Sequence, residues 1–209
     1  MEGFEMSKRV LKIGLTGPSG AGKGEVSRLL SSAGVFHIDC DKVYHSLLVP
    51  GSECTVSLSE YFGDILDSDG AVDRKKLSSI VFSDEYKLAA LNSITHKFVL
   101  DECRRIIEDC AGRGISAVVI DAPTLIESGF DRECDVILAV TAPHELRKER
   151  IKQRDGLTDK EADKRLSAQQ SDEFYTEKAD FVIVNDSDIN KLSRSVSDFI
   201  NKFLLGERN

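Results

Sequence analysis

The sequence predicts an α/β domain built on a five-stranded parallel sheet, and three observations carry that expectation. Five short runs rich in Val and Ile recur along the chain, over 10–16, 35–39, 117–121, 136–141 and 181–184. Strands buried on both faces by helices read as continuous apolar runs of this kind. Helical patterns separate them. The first two runs are joined by a glycine-rich loop and an amphipathic segment within roughly 30 residues, which is the span of a βαβ unit.

In that first unit, Val26, Leu29, Leu30 and Ala33 recur at helical spacing after the loop, and Gly34 stands where a left-handed residue ends a helix. The stretch 41–112 holds no good strand. Its helical patterns break at Pro50-Gly51, at Gly63 and at Asp67-Ser68-Asp69-Gly70, and Ser83 is placed to cap a long helix carrying Leu88, Leu91, Ile94, Phe98, Cys103, Ile106 and Cys110. An all-helical insertion between the second and third strands forms a lobe over the carboxyl edge of the sheet, where open α/β sheets bind ligands. Thr158 and Glu161 have the capping-box spacing, so 153–157 is expected to join two helices. Asp188 is placed to cap the last helix, whose apolar face is Ile189, Leu192, Val196, Phe199, Ile200 and Phe203.

Composition bounds the function. A chain of 209 residues, 41% hydrophobic, buries the core of one domain, expected over 8–209. Its formal charge of −8 repels polyanions, so nucleic acid is not an expected partner and an anionic substrate has to meet a local cluster of Lys and Arg. The cysteines (Cys40, Cys54, Cys103, Cys110, Cys134) are odd in number and form no C-x-x-C pair, which argues against a zinc site and a disulfide framework and for a reducing compartment. Residues 1–9 lack the apolar stretch of a signal peptide, and no run approaches the ~18 residues of a membrane span. A soluble cytoplasmic protein is expected, without a membrane partner, as a monomer or small homo-oligomer.

The chemistry sits in Gly17-Pro18-Ser19-Gly20-Ala21-Gly22-Lys23. G-x-x-x-x-G-K between a strand and a helix turns successive backbone N–H groups around phosphate oxygens, under the positive end of the helix dipole. Lys23 adds a full charge at the β- and γ-phosphates. The motif's next residue is Ser or Thr, whose hydroxyl binds Mg²⁺; here it is Gly24. Glu25 would bring a second negative group toward the phosphates, and Ser27 lies nearly a turn further on. Water is the expected occupant of that coordination position.

From the loop onward the chain resembles the dephospho-coenzyme A kinase family. Gly14-Leu15-Thr16-Gly17 is similar to the family's opening and Ile38-Asp39-Cys40-Asp41 to its I-D-x-D motif. The block 69–74 with Leu77 and Ile80-Val81-Phe82 resembles the start of its helical lobe. Leu91-Asn92, Ile94 and His96 follow its L-N-x-I-x-H stretch, with Lys97 where proline is usual. Asp121-Ala122-Pro123, Leu125 and Glu127 resemble D-x-P-L-L-x-E, with Thr124 in place of the first Leu. Arg150, 154–158, Ala162, Arg165 and Gln169 resemble its lid. The resemblance implies a three-layer P-loop nucleoside-kinase fold, a lobe for dephospho-CoA near 41–112 and a lid near 150–170. It implies ATP and Mg²⁺ as cofactors and phosphorylation of the ribose 3′-hydroxyl of dephospho-CoA.

The candidate residues also have readings of their own. Asp39 and Asp41 end the second strand; one carboxylate is needed to accept the hydroxyl proton and another helps near the metal. The resemblance makes Asp41 the base, while cap of a helix over 42–49 is its plain alternative. Asp121 ends a strand like the acidic residue that holds Mg²⁺ through water, with Asp39 beside it as metal or substrate ligand, or it is a loop carboxylate without that role. Glu127 and Arg74 are substrate candidates, and Glu127 equally reads as a solvated helix start. His96 reads as a core histidine that the resemblance moves toward the substrate. Between Arg147 and Arg165 eight basic residues face five acidic ones, and Arg150 and Arg154, four apart, share a helix face suited to clamping phosphates, or form a solvated surface. Two rival readings stay open: another nucleoside or nucleotide kinase, and a nucleotide-binding switch weakened by Gly24. Neither Asn190-Lys191 nor Asn201-Lys202 continues into the guanine motif N-K-x-D.

Overall fold

The computed structural model describes residues 9–81, 84–122 and 124–206. Its strands are β1 (Leu11–Thr16), β2 (Phe36–Asp39), β3 (Ala117–Asp121), β4 (Val136–Thr141) and β5 (Phe181–Val184), in one sheet of order β2-β3-β1-β4-β5. β1 pairs in parallel with β3 and with β4, and β4 with β5. Leu15 stands opposite Asp121 and Thr16 opposite Ala139. The chain leaving β1 therefore emerges between β3 and β4, at the point where strand order reverses and α/β sheets bind ligands.

The pleat explains the sequence of each strand. Ile13, Leu15, Val119, Val136, Leu138, Val140 and Ile183 bury on one face against α1 (Lys23–Ser32) and α9 (Ile189–Phe203), through Val26, Leu30, Leu192, Val196 and Phe199. Gly14 turns to the opposite face, where a Cβ would sit 2.7 Å from Leu125 and 2.9 Å from both Cys134 and Ile137. On that face Ala139 packs with Ile126 and with Tyr175 of α8 (Asp172–Thr176). Helices and turns thus cover both sides of the sheet, which is the three-layer arrangement.

Residues 39–108 form a compact unit separate from the unit that contains the rest of the chain. It holds α2 (Cys40–Ser46), α3 (Glu53–Phe62), α4 (Arg74–Val81) and most of α5 (Glu85–Gly112). Leu48, Cys54, Leu58, Ile65, Val72, Leu77 and Val81 form its core. The α3 helix stops at Gly63, as its sequence predicts. The cap expected at Ser83 lies outside the described residues; the Asp84 carboxylate accepts from the amides of Tyr86 and Lys87 at the start of α5.

Two helix boundaries differ from the sequence expectation. α2 starts at Cys40 rather than 42, and its cap is Asp39, whose Oδ1 accepts from Lys42 N at 3.0 Å. Asp41 is therefore a first-turn residue and not the cap, because a capping carboxylate has to reach an amide two or three residues ahead. α6 (His144–Asp155) extends past 153 and ends at Gly156, so only Gly156–Thr158 joins it to α7 (Asp159–Ser167). The Thr158–Glu161 capping box is present at that junction, and Asp188 caps α9 through Lys191 N.

Candidate functional site

The loop 17–22 leaves the buried end of β1 and delivers the chain into α1 at Lys23. Its glycines are required by sterics as well as by φ. Gly17 has φ 133°, and a Cβ there would overlap the carbonyl oxygen of Val140; Gly22 has φ 105°, and a Cβ there would overlap the Asn185 side chain. Lys23 Nζ donates to Gly17 O at 2.5 Å and to Pro18 O at 3.4 Å, so the ammonium arches back over the loop it follows. A positive group, a helix N-terminus and a glycine-lined turn converge there, which is the chemistry of a phosphate cradle.

Side chains distant in sequence hold the outer wall of the loop. Asn185, buried after β5, donates to Ala21 O at 2.8 Å. Arg150 of α6 donates to Gly20 O at 3.2 Å, to Ala21 O at 3.4 Å and to Asn185 O at 3.3 Å. Its guanidinium thus braces carbonyls of the loop and of the segment after β5. Gln169 Oε1 accepts from Ser19 N at 2.8 Å. Arg154 reaches Ser19 Oγ at 3.4 Å while also donating to both oxygens of Asp155 at 2.8 Å.

The remaining charge of the α6–α7 hairpin is mostly paired. Lys148 meets Asp163 at 2.8 Å, Lys152 meets Asp159 at 2.8 Å, and Arg165 meets Asp155 at 2.6 Å. Hydrogen bonds from Arg154 hold the Asp155 carboxyl below the usual range, and Lys152 does the same for Asp159. Arg150 differs from these residues: among the described residues its bonds go to carbonyl oxygens and not to a carboxylate.

Asp121, at the end of β3, is split between two environments. Its Oδ2 accepts from Ser27 Oγ at 3.2 Å and lies 3.5 Å from His37 Nε2. No described residue donates to Oδ1, and the side chain is 19% exposed. Glu25, the acidic residue near the loop, is drawn away to Arg28 at 2.5 Å, which lowers its pKa. No group of three or more His, Cys, Asp or Glu among the described residues forms a cation cage. The partly exposed Asp121 carboxylate, with an oxygen that no described residue donates to, is a donor of the kind Mg²⁺ takes, phosphates and waters supplying the rest.

The loop residues Gly17, Pro18, Ser19, Gly20, Ala21, Gly22, Lys23 and Gly24 thus lie with Arg150 and Arg154, and Asp121 is tied to the same α1 helix through Ser27. Glu127 is exposed in the turn after β3, not on a helix start, and its charge adds to burial in raising the Tyr175 pKa. Asp39, Asp41, Arg74 and His96 belong to the unit 39–108. There Asp39 caps α2 and pairs with Lys42 at 3.0 Å. Arg74 is exposed, and its charge partly offsets the rise that burial imposes on the Tyr44 pKa. His96 is half-buried on α5, and burial lowers its pKa, so it favours the neutral ring.

Asn185 and His37 escaped the sequence reading, and Ser27 entered it only as a hydroxyl too far along the helix to replace the one missing at Gly24. Asn185 follows an edge strand in an unremarkable Val-Asn-Asp context, and its partner Ala21 lies 164 positions away. For Ser27 a signal existed: it is the polar member of an otherwise apolar helix face, and it is 1% exposed.

The family profile described as dephospho-CoA kinase matches residues 11–191. The dephospho-CoA kinase of Streptomyces avermitilis is 40% identical over 190 residues, covering 90% of this chain and 92% of that protein. That of Corynebacterium glutamicum is 36% identical over 196 residues, covering 93% and 98%. Among solved structures, the dephospho-CoA kinase from Campylobacter jejuni superposes with a TM-score of 0.71 at 25% identity, covering 94% of this chain and 98% of that one. With the phosphate cradle, the three-layer sheet and these relatives in agreement over nearly its whole length, the chain belongs to the dephospho-CoA kinase family of phosphotransferases.

Proposed function

We propose that this chain transfers the γ-phosphoryl group of ATP to the ribose 3′-hydroxyl of dephospho-CoA, completing CoA in the last step of its synthesis, with the following division of labour. The loop 17–24 and Lys23 hold the triphosphate. Asp41 accepts the proton of the 3′-hydroxyl as its oxygen attacks the γ-phosphorus and the bond to the β–γ bridging oxygen breaks, releasing ADP. Arg154 meets the charge that moves onto the transferring group, and Arg150 fixes the loop that presents it. When bound, Mg²⁺ would supply charge neutralisation at the phosphates, and Asp121 and Asp39 would hold it, through water.

In this reading residues near 41–112 form the lobe for dephospho-CoA, and Arg74, His96 and Glu127 are substrate-binding residues. Residues near 150–170 form a lid, since phosphoryl transfer competes with hydrolysis unless water is excluded. Cytoplasmic residence fits the CoA role; among the described residues no helix is long and apolar enough to cross a membrane. The observation that carries the reading is the loop itself, where Lys23 and Arg150 bind loop carbonyls from two sides around glycines that admit no side chain. Neither rival, another nucleotide kinase or a weakened switch, draws support from the relatives.

The test is Asp41→Asn, which keeps size and removes the proton acceptor. It is expected to lower kcat with dephospho-CoA by about 10²-fold or more while ATP affinity stays near wild type. A wild-type rate in that variant removes Asp41 from the mechanism, and a wild-type enzyme that ignores dephospho-CoA removes the acceptor.

A further inference from the structure

The departure at Gly24 and the bond between Ser27 and Asp121 belong to one local design. In the motif a hydroxyl directly after the lysine sits on the first turn of the helix, beside the phosphates. Here that position has no side chain, and a Cβ placed on Gly24 would find nothing within 4 Å, so the space it would occupy is open. Three residues along the same helix, nearly one turn, Ser27 is turned inward and buried at 1% exposure. Its hydroxyl donates to Asp121 Oδ2 at 3.2 Å.

We propose that Ser27 is a positioning residue for Asp121, fixing from the second turn of α1 the carboxylate that a hydroxyl at position 24 would otherwise help to orient. A carboxylate at a strand end rotates about its terminal torsion, which is broad and nearly two-fold. A donor on one oxygen selects one orientation. With Oδ2 held by Ser27 and bordered by His37, Oδ1 is the oxygen that no described residue donates to, and so the one that would serve the ion's water shell. Partners of a directly bound ligand typically carry about 10–100-fold in metal affinity, and a partner of a carboxylate that acts through water belongs at the low end. The inference rests on the proposed role of Asp121 in holding Mg²⁺ through water.

Mn²⁺ serves as the probe, its binding to the enzyme–ATP complex read by electron paramagnetic resonance without any acceptor present. Ser27→Ala is expected to weaken Mn²⁺ binding about tenfold, at the low end of that range. ATP binding measured with the metal chelated should stay at the wild-type value. Adding Gly24→Ser to Ser27→Ala should restore most of the lost Mn²⁺ affinity, since the hydroxyl then returns to the first turn. In turnover, Ser27→Ala should raise the Mg²⁺ needed for half-maximal rate and leave KM for dephospho-CoA unchanged. Wild-type Mn²⁺ affinity in Ser27→Ala overturns the proposal. So does an equal loss of metal-free ATP binding, which would show general damage to the loop. Should Ser27→Ala not fold, Ser27→Cys fills a similar volume with a weak donor and carries the same measurement. Because the Mn²⁺ signal needs no acceptor, failure with dephospho-CoA would strike the proposed reaction and leave this test standing.

Discussion

In the phosphate loop, a side chain at Gly17 or Gly22 would overlap Val140 or Asn185, and the loop's carbonyls are pinned by Lys23, Arg150 and Asn185. In the α6–α7 hairpin, Lys148, Lys152 and Arg165 instead meet Asp163, Asp159 and Asp155 in pairs that each have one exposed partner. Both regions present cations, but one is fixed by close packing and main-chain bonds and the other by ion pairs that solvent screens. Close packing gives a single geometry, because backbone atoms in contact have nowhere to go. Exposed pairs exchange partners at little cost. The difference teaches that the fixed geometry lies in the loop and in the face of α6 that braces it through Arg150, while the outer charges of the hairpin rest on screened pairs.

The largest effect that would break this contrast comes from adding one methyl group to each region. Gly17→Ala puts a side chain at a positive φ and against Val140 O, so it is expected to cost more than about 1 kcal/mol of stability and to abolish measurable ATP binding. Gly156→Ala at the end of α6 also sits at positive φ, at 67°, but meets nothing within 4 Å. It should cost roughly 1 kcal/mol and leave ATP affinity intact. Thermal melts with ATP titrations compare the two; equal losses of ATP binding would erase the distinction between the packed loop and the open end of α6.

A smaller effect separates two arginines of one helix. Arg150→Ala removes three bonds to the carbonyls of Gly20, Ala21 and Asn185, so both the melting temperature and kcat should fall, the latter about 10²-fold. Arg154→Ala removes an exposed residue that divides itself between Asp155 and Ser19. Its melting temperature should stay near wild type while kcat falls more than KM for ATP rises. If both variants lost stability equally, Arg154 would belong to the loop's scaffold. Purely KM effects in both would describe a surface that only attracts substrate.

Much of this architecture was legible because it is local. The runs 117–121, 136–141 and 181–184 coincide with β3, β4 and β5, and the first two strands start one residue later than their apolar runs. The glycine loop, the Thr158–Glu161 box and the Asp188 cap are spaced by hydrogen bonds between near neighbours. What sequence periodicity does not carry is which of two adjacent polar residues wins a local contest. Asp39 caps α2 where Asp41 was the candidate, because the helix begins two residues earlier than expected. Contacts across the sheet were also invisible. Asn185 to Ala21 and Ser27 to Asp121 depend on the strand order, and no spacing along the chain encodes them.

Acid should produce the smallest of these effects and divide the two regions most cleanly. Asp155 is held low by Arg154, Asp159 by Lys152 and Glu161 by Thr158, so each binds its proton less readily in the folded hairpin than in the unfolded chain. A carboxylate with a lowered folded-state pKa adds stability that is fully present above its unfolded value, about 3.9 for Asp and 4.3 for Glu. That stability drains as pH falls through the folded value. The loop's walls, Asn185 and backbone carbonyls, do not titrate, and α1 carries one lowered carboxylate, Glu25 beside Arg28, against three in the hairpin. Lowering the pH from about 5 to about 3 should therefore loosen α7 before α1. Amide hydrogen exchange at the two pH values, corrected for the intrinsic rate at each, reads this directly: protection over Asp159–Ser167 should fall more than that over Lys23–Ser32. Simultaneous loss would mean that the hairpin's ion pairs are coupled to the sheet, and that the loop owes part of its rigidity to them.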